Sequence, residues 1–586
     1  MQNTVDLQLN VIKARLPIVT GGLVIASVFM LLALARLQQL SPAVRQEFEL
    51  RSDNNTSSVL RLPAERGVIY DRDRVPLAFN ELQYEIGVSP NLVSEPERIA
   101  QELGLILNLD EFDIFNRITL DVPWVQIARP VPADLGQQIL DLNEISITIN
   151  PLSSRAYPQN ELAGPIIGFT IQSNDNNTAG VVGIEANYNV ELAGRPLDQR
   201  ISTIPIDLPD ATSSTNQRGR DIILTIDRDI QYWMEQELAL GVERYRADGG
   251  VVIVMNPRNG EIIAMAQNPT FDPNNYGQTD QDQLSNTNIS YLIEPGSVMK
   301  VITVAIGLET GVITPEWTYN DQGSLEVGGI QIVNWDRNAY GVVDTRGLLI
   351  NSLNIGATTV ALLTGPDAYY SMMQDFGFGS RTQIDLQGEA EGIMRVRGDA
   401  DWSEADFASN SFGQAISVTP IQMITAVAGI ANDGLIYQPH LMHTIIDGDE
   451  LRIARPVVNR VISSEVANIV TDMMVDVVNE GATLAQVPGY SVAGKTGTAQ
   501  ISTAIGYENG IAGQTRASFV GFFPADDPQV VVYVMLDRPR TSEFGSQTAA
   551  PLFSTIAQRL ALLLTIPTDE VRLELQAEGG IFNDNP

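Results

Sequence analysis

The chain has no cysteine, which excludes disulfides, thiolate metal sites and a cysteine nucleophile. Histidine is nearly absent. The two present, His440 and His443, lie in Pro439-His440-Leu441-Met442-His443, which reads as a short strand after a turn. No H-E-x-x-H pattern accompanies them, so they read as structural, and a serine nucleophile here needs a base other than histidine. Positive charge is scarce: 36 Lys and Arg face 71 Asp and Glu, a formal charge of −35 with a pI near 4.3. That balance argues against nucleic acid and against an anionic membrane surface as partners. Acidity by itself names no substrate.

Long apolar runs are also rare. One, Leu16 to Ala35, carries no charge and is long enough to span a bilayer. Ala33-Leu34-Ala35 fits a signal-peptide cleavage pattern, but a signal core is only about 7–15 residues, so the run reads as an uncleaved anchor. Lys13 and Arg15 favour a cytoplasmic N-terminus, although Arg36 and Arg45 weaken the bias. The rest of the chain is then extracytoplasmic.

The 586 residues, 44% of them hydrophobic, leave room for two or three domains. The expected organisation is a cytoplasmic tail (1–15), a transmembrane helix (16–36), a stalk (37–58), a first domain (59–217), a second domain (218–566) and a loose acidic tail (567–586). In the first domain short strands alternate with turns. Arg66-Gly67-Val68-Ile69-Tyr70-Asp71-Arg72, Arg155-Ala156-Tyr157-Pro158 and Gly183-Ile184-Glu185 stand out as arginine–carboxylate pieces that clamp a domain together. Ala211 to Gly219 reads as a polar linker. The second domain opens with a helix, Asp227 to Leu240. Asn256-Pro257-Arg258-Asn259-Gly260 and Pro524-Ala525-Asp526-Asp527-Pro528 each sit between apolar strands as hairpin turns, and Ala549 to Leu564 is a closing helix. Strands at both ends with helices between them predict an α+β fold, an antiparallel sheet with helices on both faces.

Chemistry concentrates in Glu294-Pro295-Gly296-Ser297-Val298-Met299-Lys300 and the apolar run to Leu308. Pro295 and Gly296 start a helix, Gly311 stops it, and the residues between are apolar on nearly every side. Ser297 and Lys300, three apart, share a face. Burial can lower a lysine pKa by up to about 3–5 units and free its amine as a base. A serine at a helix N-terminus beside such an amine suggests a nucleophile with an anion-stabilising terminus; a capping serine and a snorkelling lysine is the plain alternative. Ser352-Leu353-Asn354 follows a helix-like Thr345 to Ile350. Lys495-Thr496-Gly497-Thr498, with a glycine that lets a ligand backbone approach, continues as Ala499-Gln500-Ile501-Ser502, which alternates like a strand. Gly489 to Thr496 also fits G-x-x-x-x-G-K-[ST], but Gln486-Val487-Pro488 makes a poor preceding strand and Gly497 opposes a helix start.

Together S-x-x-K, S-x-N and K-T-G resemble the signature of penicillin-binding proteins and serine β-lactamases. Asn334-Trp335-Asp336, Phe376-Gly377-Phe378-Gly379, Ser411-Phe412-Gly413-Gln414 with Val418-Thr419-Pro420, and Ala493 to Ala499 extend the resemblance to class B penicillin-binding transpeptidases, from the anchor to about residue 566. No glycosyltransferase module separates anchor from first domain, as class B requires. The resemblance implies an elongated pedestal of the dimerisation type carrying the transpeptidase domain. It casts Ser297 as nucleophile, Lys300 as its base, Ser352 as proton relay and Asn354 as holder of the peptide amide. Lys495, Thr496, Gly497 and Thr498 bind the substrate carboxylate, and the N–H groups of Ser297 and Thr498 form the oxyanion hole. It implies no cofactor and no metal. It also implies peptidoglycan stem peptides as substrate, β-lactams as inhibitors and a glycosyltransferase of the SEDS type as partner. Length and compact pedestal resemble the septal branch; elongation-type transpeptidase, β-lactamase or D,D-carboxypeptidase, and a non-catalytic scaffold or β-lactam sensor are the alternatives. Four positions depart from the family pattern: Leu353 stands for a serine, and Ala415, Arg74 and Asn160 stand for glycines.

Overall fold

A computed structural model describes residues 17, 20–32, 57–62, 64–172, 178–195, 197–202, 218–503, 506–507 and 513–577. Residues 1–64 with 195–217 form one unit, and 65–194 with 218–586 form another. In the first, residues 20–32 are helical, with Phe29 and Met30 exposed. Among the described residues no helix is long and apolar enough to cross a membrane. The expected tail 1–15, the remainder of the expected span 16–36 apart from residue 17, and nearly all of the stalk lie outside the described residues. Ser57–Leu62 pairs antiparallel with Leu197–Ser202.

The second unit begins with β1 (Ile69–Tyr70) and β2 (Pro76–Val88), followed by α1 (Pro96–Leu107), α2 (Glu111–Ile118), β3 (Val125–Pro132), α3 (Ala133–Leu140) and β4 (Ile147–Ala156). The three helices correct the expected run of short strands and turns. They form for local reasons. Pro96 sits in the first turn of α1, Asn108 closes it in the left-handed conformation, and Asp110 caps α2 by accepting from Asp113 N–H. Ile99 and Leu103 of α1 and Ile114 and Ile118 of α2, each pair four apart, then bury one stripe against Ile86, Val88, Ile127 and Val131 of the strands.

Beyond this lies the clamp. Glu185 is fully buried and accepts from Arg66 Nε at 2.6 Å and Arg155 Nε at 2.6 Å. Arg66 Nη2 also donates to the Glu185 carbonyl at 2.8 Å, and Arg155 Nη1 to Gly67 O at 2.8 Å. Burial pulls Arg66 below the usual guanidinium range and the Glu185 charge opposes it. Three stretches distant in sequence are thereby tied at one point.

The expected boundary at 217/218 is no gap. Asp221–Leu224 pairs with β1 in parallel and with Met442–Asp447 antiparallel, so one seven-stranded sheet takes strands from both sides of it. Residues 211–217 of the expected linker are outside the described set, whereas Gly219 is buried and its N–H donates to Glu65 O at 2.8 Å.

The larger part contains α4 (Arg228–Tyr245), β5 (Gly249–Met255), β6 (Ile262–Asn268), α5 (Met299–Glu309), α6 (Thr345–Ile350), α7 (Asn354–Thr364), α8 (Pro420–Ala431), α9 (Ser464–Asp476), β7 (Ala493–Gln500), β8 (Thr515–Phe523), β9 (Val530–Asp537), α10 (Ala549–Leu563) and α11 (Asp569–Ala577). The sheet order is β6-β5-β9-β8-β7, antiparallel throughout. Strand alternation divides the core in two. Val251, Ile253 and Met255 join a cluster with α5, α8 and α9, while Val252 and Val254 join one with α4 and α10. Helices therefore cover both faces, as expected. The first half of the expected loose tail is a correction: it forms α11, with Arg572 buried and donating to Asp569 Oδ1 at 2.8 Å and to Asp526, while 578–586 lie outside the described residues.

Candidate active site

Central helix α5 is buried from Met299 to Leu308, and a 3-10 turn, Gly296–Val298, leads into it. Ser297 lies in that turn, half-buried, and Lys300 in the first turn of α5, with no exposure. The turn is held from two sides. Gly296 N–H donates to Gly413 O at 3.0 Å, and a Cβ on Gly413 would fall 2.1 Å from Gly296 O. This explains the Ser411-Phe412-Gly413-Gln414 motif as a buttress: Thr303 Oγ1, one turn beyond Lys300, donates to Ser411 O at 2.7 Å.

On the other side lies β7, the sheet edge. A Cβ on Gly497 would meet Ser518 Oγ at 2.3 Å and Pro295 O at 3.0 Å. The close approach that Gly497 permits is therefore by the chain's own Pro295 and Ser518, not by a ligand backbone. Residues 489–496 end inside this strand, not at a helix start, so the P-loop geometry is missing. Alternation puts Lys495 on the same side as Ala493, which packs in the α5 cluster. Thr498 Oγ1 accepts from Gly545 N–H at 3.0 Å.

The loop between α6 and α7 completes the groove. Lys300 Nζ donates to Ser297 Oγ at 3.0 Å, to Ser352 O at 2.6 Å and to Ser352 Oγ at 3.2 Å. Lys495 Nζ donates to the same Ser352 Oγ at 3.0 Å. Ser297, Lys300, Ser352 and Lys495 thus converge from three stretches of the chain. Asn354 makes none of its hydrogen bonds with that cluster; its Nδ2 donates to Val333 O at 2.8 Å. His440 and His443 bond instead to Gln438 O and Thr444 Oγ1.

Electrostatics follow from burial. Neither lysine has a carboxylate partner among the described residues. Desolvation pushes Lys300 well below the ordinary lysine range, and the neighbouring Lys495 pushes it further. Desolvation alone lowers Lys495 to about 7. The sequence carries a further signal of this site. The chain has three lysines, Lys13, Lys300 and Lys495, so arginine supplies nearly all its positive charge. Arginine keeps its proton in proteins, whereas lysine can lose it when buried, and two of the three lysines are in this groove.

Asn334 also went unassigned. It is buried, and its Oδ1 accepts from Asn354 N–H at 3.1 Å and Ile355 N–H at 3.4 Å, capping α7 from outside. Leu353, the N-cap residue itself, has no side chain that can cap and is fully buried. It faces the core, so its departure from serine does not reach the groove. The other three departures share a geometry: Arg74, Asn160 and Ala415 have φ of 64°, 56° and 59°, the left-handed region that glycine enters freely.

Residues 250–558 match the profile of the penicillin-binding protein transpeptidase domain, and residues 61–222 that of the penicillin-binding protein dimerisation domain. This chain is a class B penicillin-binding protein. It is 33% identical over 514 residues to stage V sporulation protein D of Bacillus subtilis, covering 84% of this chain and 77% of that one. It is 28% identical over 573 residues to the peptidoglycan D,D-transpeptidase FtsI of Escherichia coli, covering 96% and 93%. Among solved structures, penicillin-binding protein 3 of Mycobacterium tuberculosis complexed with aztreonam superposes with a TM-score of 0.68 at 27% identity, over 87% of this chain and 98% of that one. For this class B protein, the two matched domains fall on the clamp-bearing and groove-bearing parts of the fold.

Proposed function

We propose that this protein is a serine D,D-transpeptidase that cross-links peptidoglycan stem peptides through an acyl-enzyme on Ser297, and that β-lactams inhibit it by acylating the same serine. The observation that carries this reading is the pair of buried amines, without a carboxylate partner among the described residues, meeting at Ser352 Oγ, one of them 3.0 Å from Ser297 Oγ. A neutral Lys300 amine takes the Ser297 proton as Oγ attacks the penultimate D-alanine carbonyl of a stem peptide. The N–H groups of Ser297 and Thr498 receive the oxyanion, each such donor worth about 10²–10³ in rate. Gly296 abuts β7 at Thr498, where a Cβ would lie 3.0 Å from Thr498 O, which supports that pairing.

As the tetrahedral intermediate collapses, the C–N bond breaks and the proton passes through Ser352 Oγ to the leaving D-alanine amine. Lys495, Thr496 and Thr498 hold the substrate's terminal carboxylate, and Gly497 keeps their strand against the nucleophile turn. Asn354, anchored through Nδ2, offers Oδ1 to the peptide N–H. The peptide itself lies along β7, whose outer edge has no strand partner among the described residues. An amine from a second stem peptide then displaces Ser297 and forms the cross-link.

The finer reading includes an anchor at residues 16–36, action in septal wall synthesis, and a SEDS-type glycosyltransferase as partner, since a transpeptidase without its own polymerase needs new glycan. Co-purification from membranes tests the partner, and its absence would remove that proposal. The central test is covalent labelling by a fluorescent penicillin. Ser297→Ala abolishes it, and Lys300→Ala slows it by orders of magnitude in a folded protein. Label retained on Ser297→Ala would mean the nucleophile lies elsewhere. Rapid turnover of the penicillin, without a stable adduct, would point to a β-lactamase.

A further inference from the structure

The loop that bears Ser352 is strained at its centre and strapped from outside. Ser352 has φ +56°, the left-handed region that non-glycine residues seldom occupy. Part of the cause is local. Leu353 N–H donates to Leu348 O at 2.9 Å, ending α6 in the manner that ordinarily places glycine at the left-handed position. A serine stands there instead.

Residues 333–335 grip the chain on both sides of it. Trp335 Nε1 donates to Asn351 O at 3.2 Å, one residue before Ser352. Asn334 Oδ1 takes the N–H groups of Asn354 and Ile355, and Val333 O takes Asn354 Nδ2, after it. Asn334 is itself held, its Nδ2 donating to buried Asp321 Oδ2 at 2.9 Å and to Asn338 O at 3.1 Å. What depends on this geometry is the aim of Ser352. Its carbonyl and hydroxyl receive three of the bonds that hold Lys300 and Lys495.

We propose that Asn334, together with Trp335, is a positioning residue for acyl transfer, keeping Ser352 in its left-handed conformation so that its carbonyl and hydroxyl stay on the two lysine amines. The proposal rests on the transpeptidase reading. It predicts a consequence beyond stability. If Ser352 swings away, the Lys300 ammonium loses an acceptor that favours its charged form. The Lys300 pKa then falls further, with Lys495 still its cationic neighbour. The acid limb of acylation moves to lower pH while the plateau drops, because the relay hydroxyl is misplaced. A residue that only supported the fold would lower the melting temperature and leave the limb where it was.

The experiment measures acylation of the full chain by a fluorescent penicillin across pH, at saturating and limiting concentrations. Asn334→Ala lowers the rate constant at saturation about tenfold or more and shifts the acid limb to lower pH; at about 1 kcal/mol per net hydrogen bond, the loss of two or more accounts for it. Trp335→Phe keeps an aromatic ring on a side chain that is 62% exposed and deletes one donor. It costs about threefold to tenfold, with the same direction of shift, an unchanged half-saturating concentration and an unchanged melting temperature. If Asn334→Ala does not fold, Trp335→Phe decides by the same criteria. Parental rates and an unmoved limb in a labelled protein overturn the positioning role and leave the transpeptidase reading intact. A parent chain that is not labelled at all removes both.

Discussion

Two groups of buried charge sit in this molecule and are resolved in opposite ways. In the clamp, Arg66 and Arg155 converge on Glu185, and all three side chains are at most 3% exposed. In the groove, the buried Lys300 and Lys495 converge on the half-buried Ser352, with no carboxylate among the described residues to answer them. Guanidinium holds its proton, so the clamp must keep its counter-charge. Ammonium can give its proton up, so burial together with the neighbouring Lys495 charge favours loss of the Lys300 proton, and a neutral amine is a base. The same cost of desolvation yields a structural joint in one place and a reactive one in the other. The choice of arginine or lysine, and the presence or absence of one glutamate, decide which.

The sharpest break of that comparison is to remove the answering charge. Glu185→Gln leaves two guanidinium groups buried and unpaired and is expected to destabilise the protein by about 3–5 kcal/mol, read by denaturant unfolding. A loss below about 1 kcal/mol would mean the clamp is not carrying charge in the folded state. The converse substitution in the groove goes the other way. Lys495→Met removes a buried amine with no counter-ion and is expected to stabilise by about 1–4 kcal/mol while suppressing penicillin acylation.

That gain depends on pH. The folded-state pKa of Lys495 is lowered to about 7 from 10.5, so between these values the unfolded chain holds a proton that the folded chain lacks. The parent therefore gains stability as pH rises through that window, and the advantage of Lys495→Met narrows from pH 7 towards 10.5. An advantage that stayed constant, or grew, would show that Lys495 keeps its proton when folded. The smallest effect concerns backbone, not charge. Ala415→Gly relieves a left-handed alanine worth about 1–2 kcal/mol and returns about 0.4–1 kcal/mol of chain entropy to the unfolded state, a net stabilisation of roughly 0.5–1 kcal/mol by melting temperature. Arg74→Gly is expected to follow it.

Much of the second domain was legible because its signals are local. The hairpin turns at 256–260 and 524–528, the helix start at Pro295-Gly296 and the closing helix at 549 each depend on a few neighbouring residues, and each appears within a residue or two of its expected place. The pedestal was read less well. Helices α1 to α3 are 8–12 residues long and their apolar stripes mature only against β2 and β3, so their period was lost among turn-like polar residues. The tail misled for a similar reason: its composition is acidic and polar, but Arg572 binds Asp526 and Asp569 across a fold that composition does not encode.

For the site, the spacing of Ser297 and Lys300 follows from 3.6 residues per turn, and so their pairing was available from the chain alone. The strand that separates Lys495 and Gly497 from Thr496 and Thr498 runs Ala493–Gln500, mostly ahead of the alternation read at Ala499 to Ser502. The sequence also determined, through three lysines in 586 residues, that a proton-losing cation would be rare. What tertiary structure alone decided is how dry those amines are and whom they meet. Burial, the crowding of Gly497 by Pro295 and Ser518, the inward turn of Leu353 and the external cap from Asn334 are all contacts between residues far apart in the chain. Desolvation is a property of what surrounds a group in space, and no local pattern of residues records it.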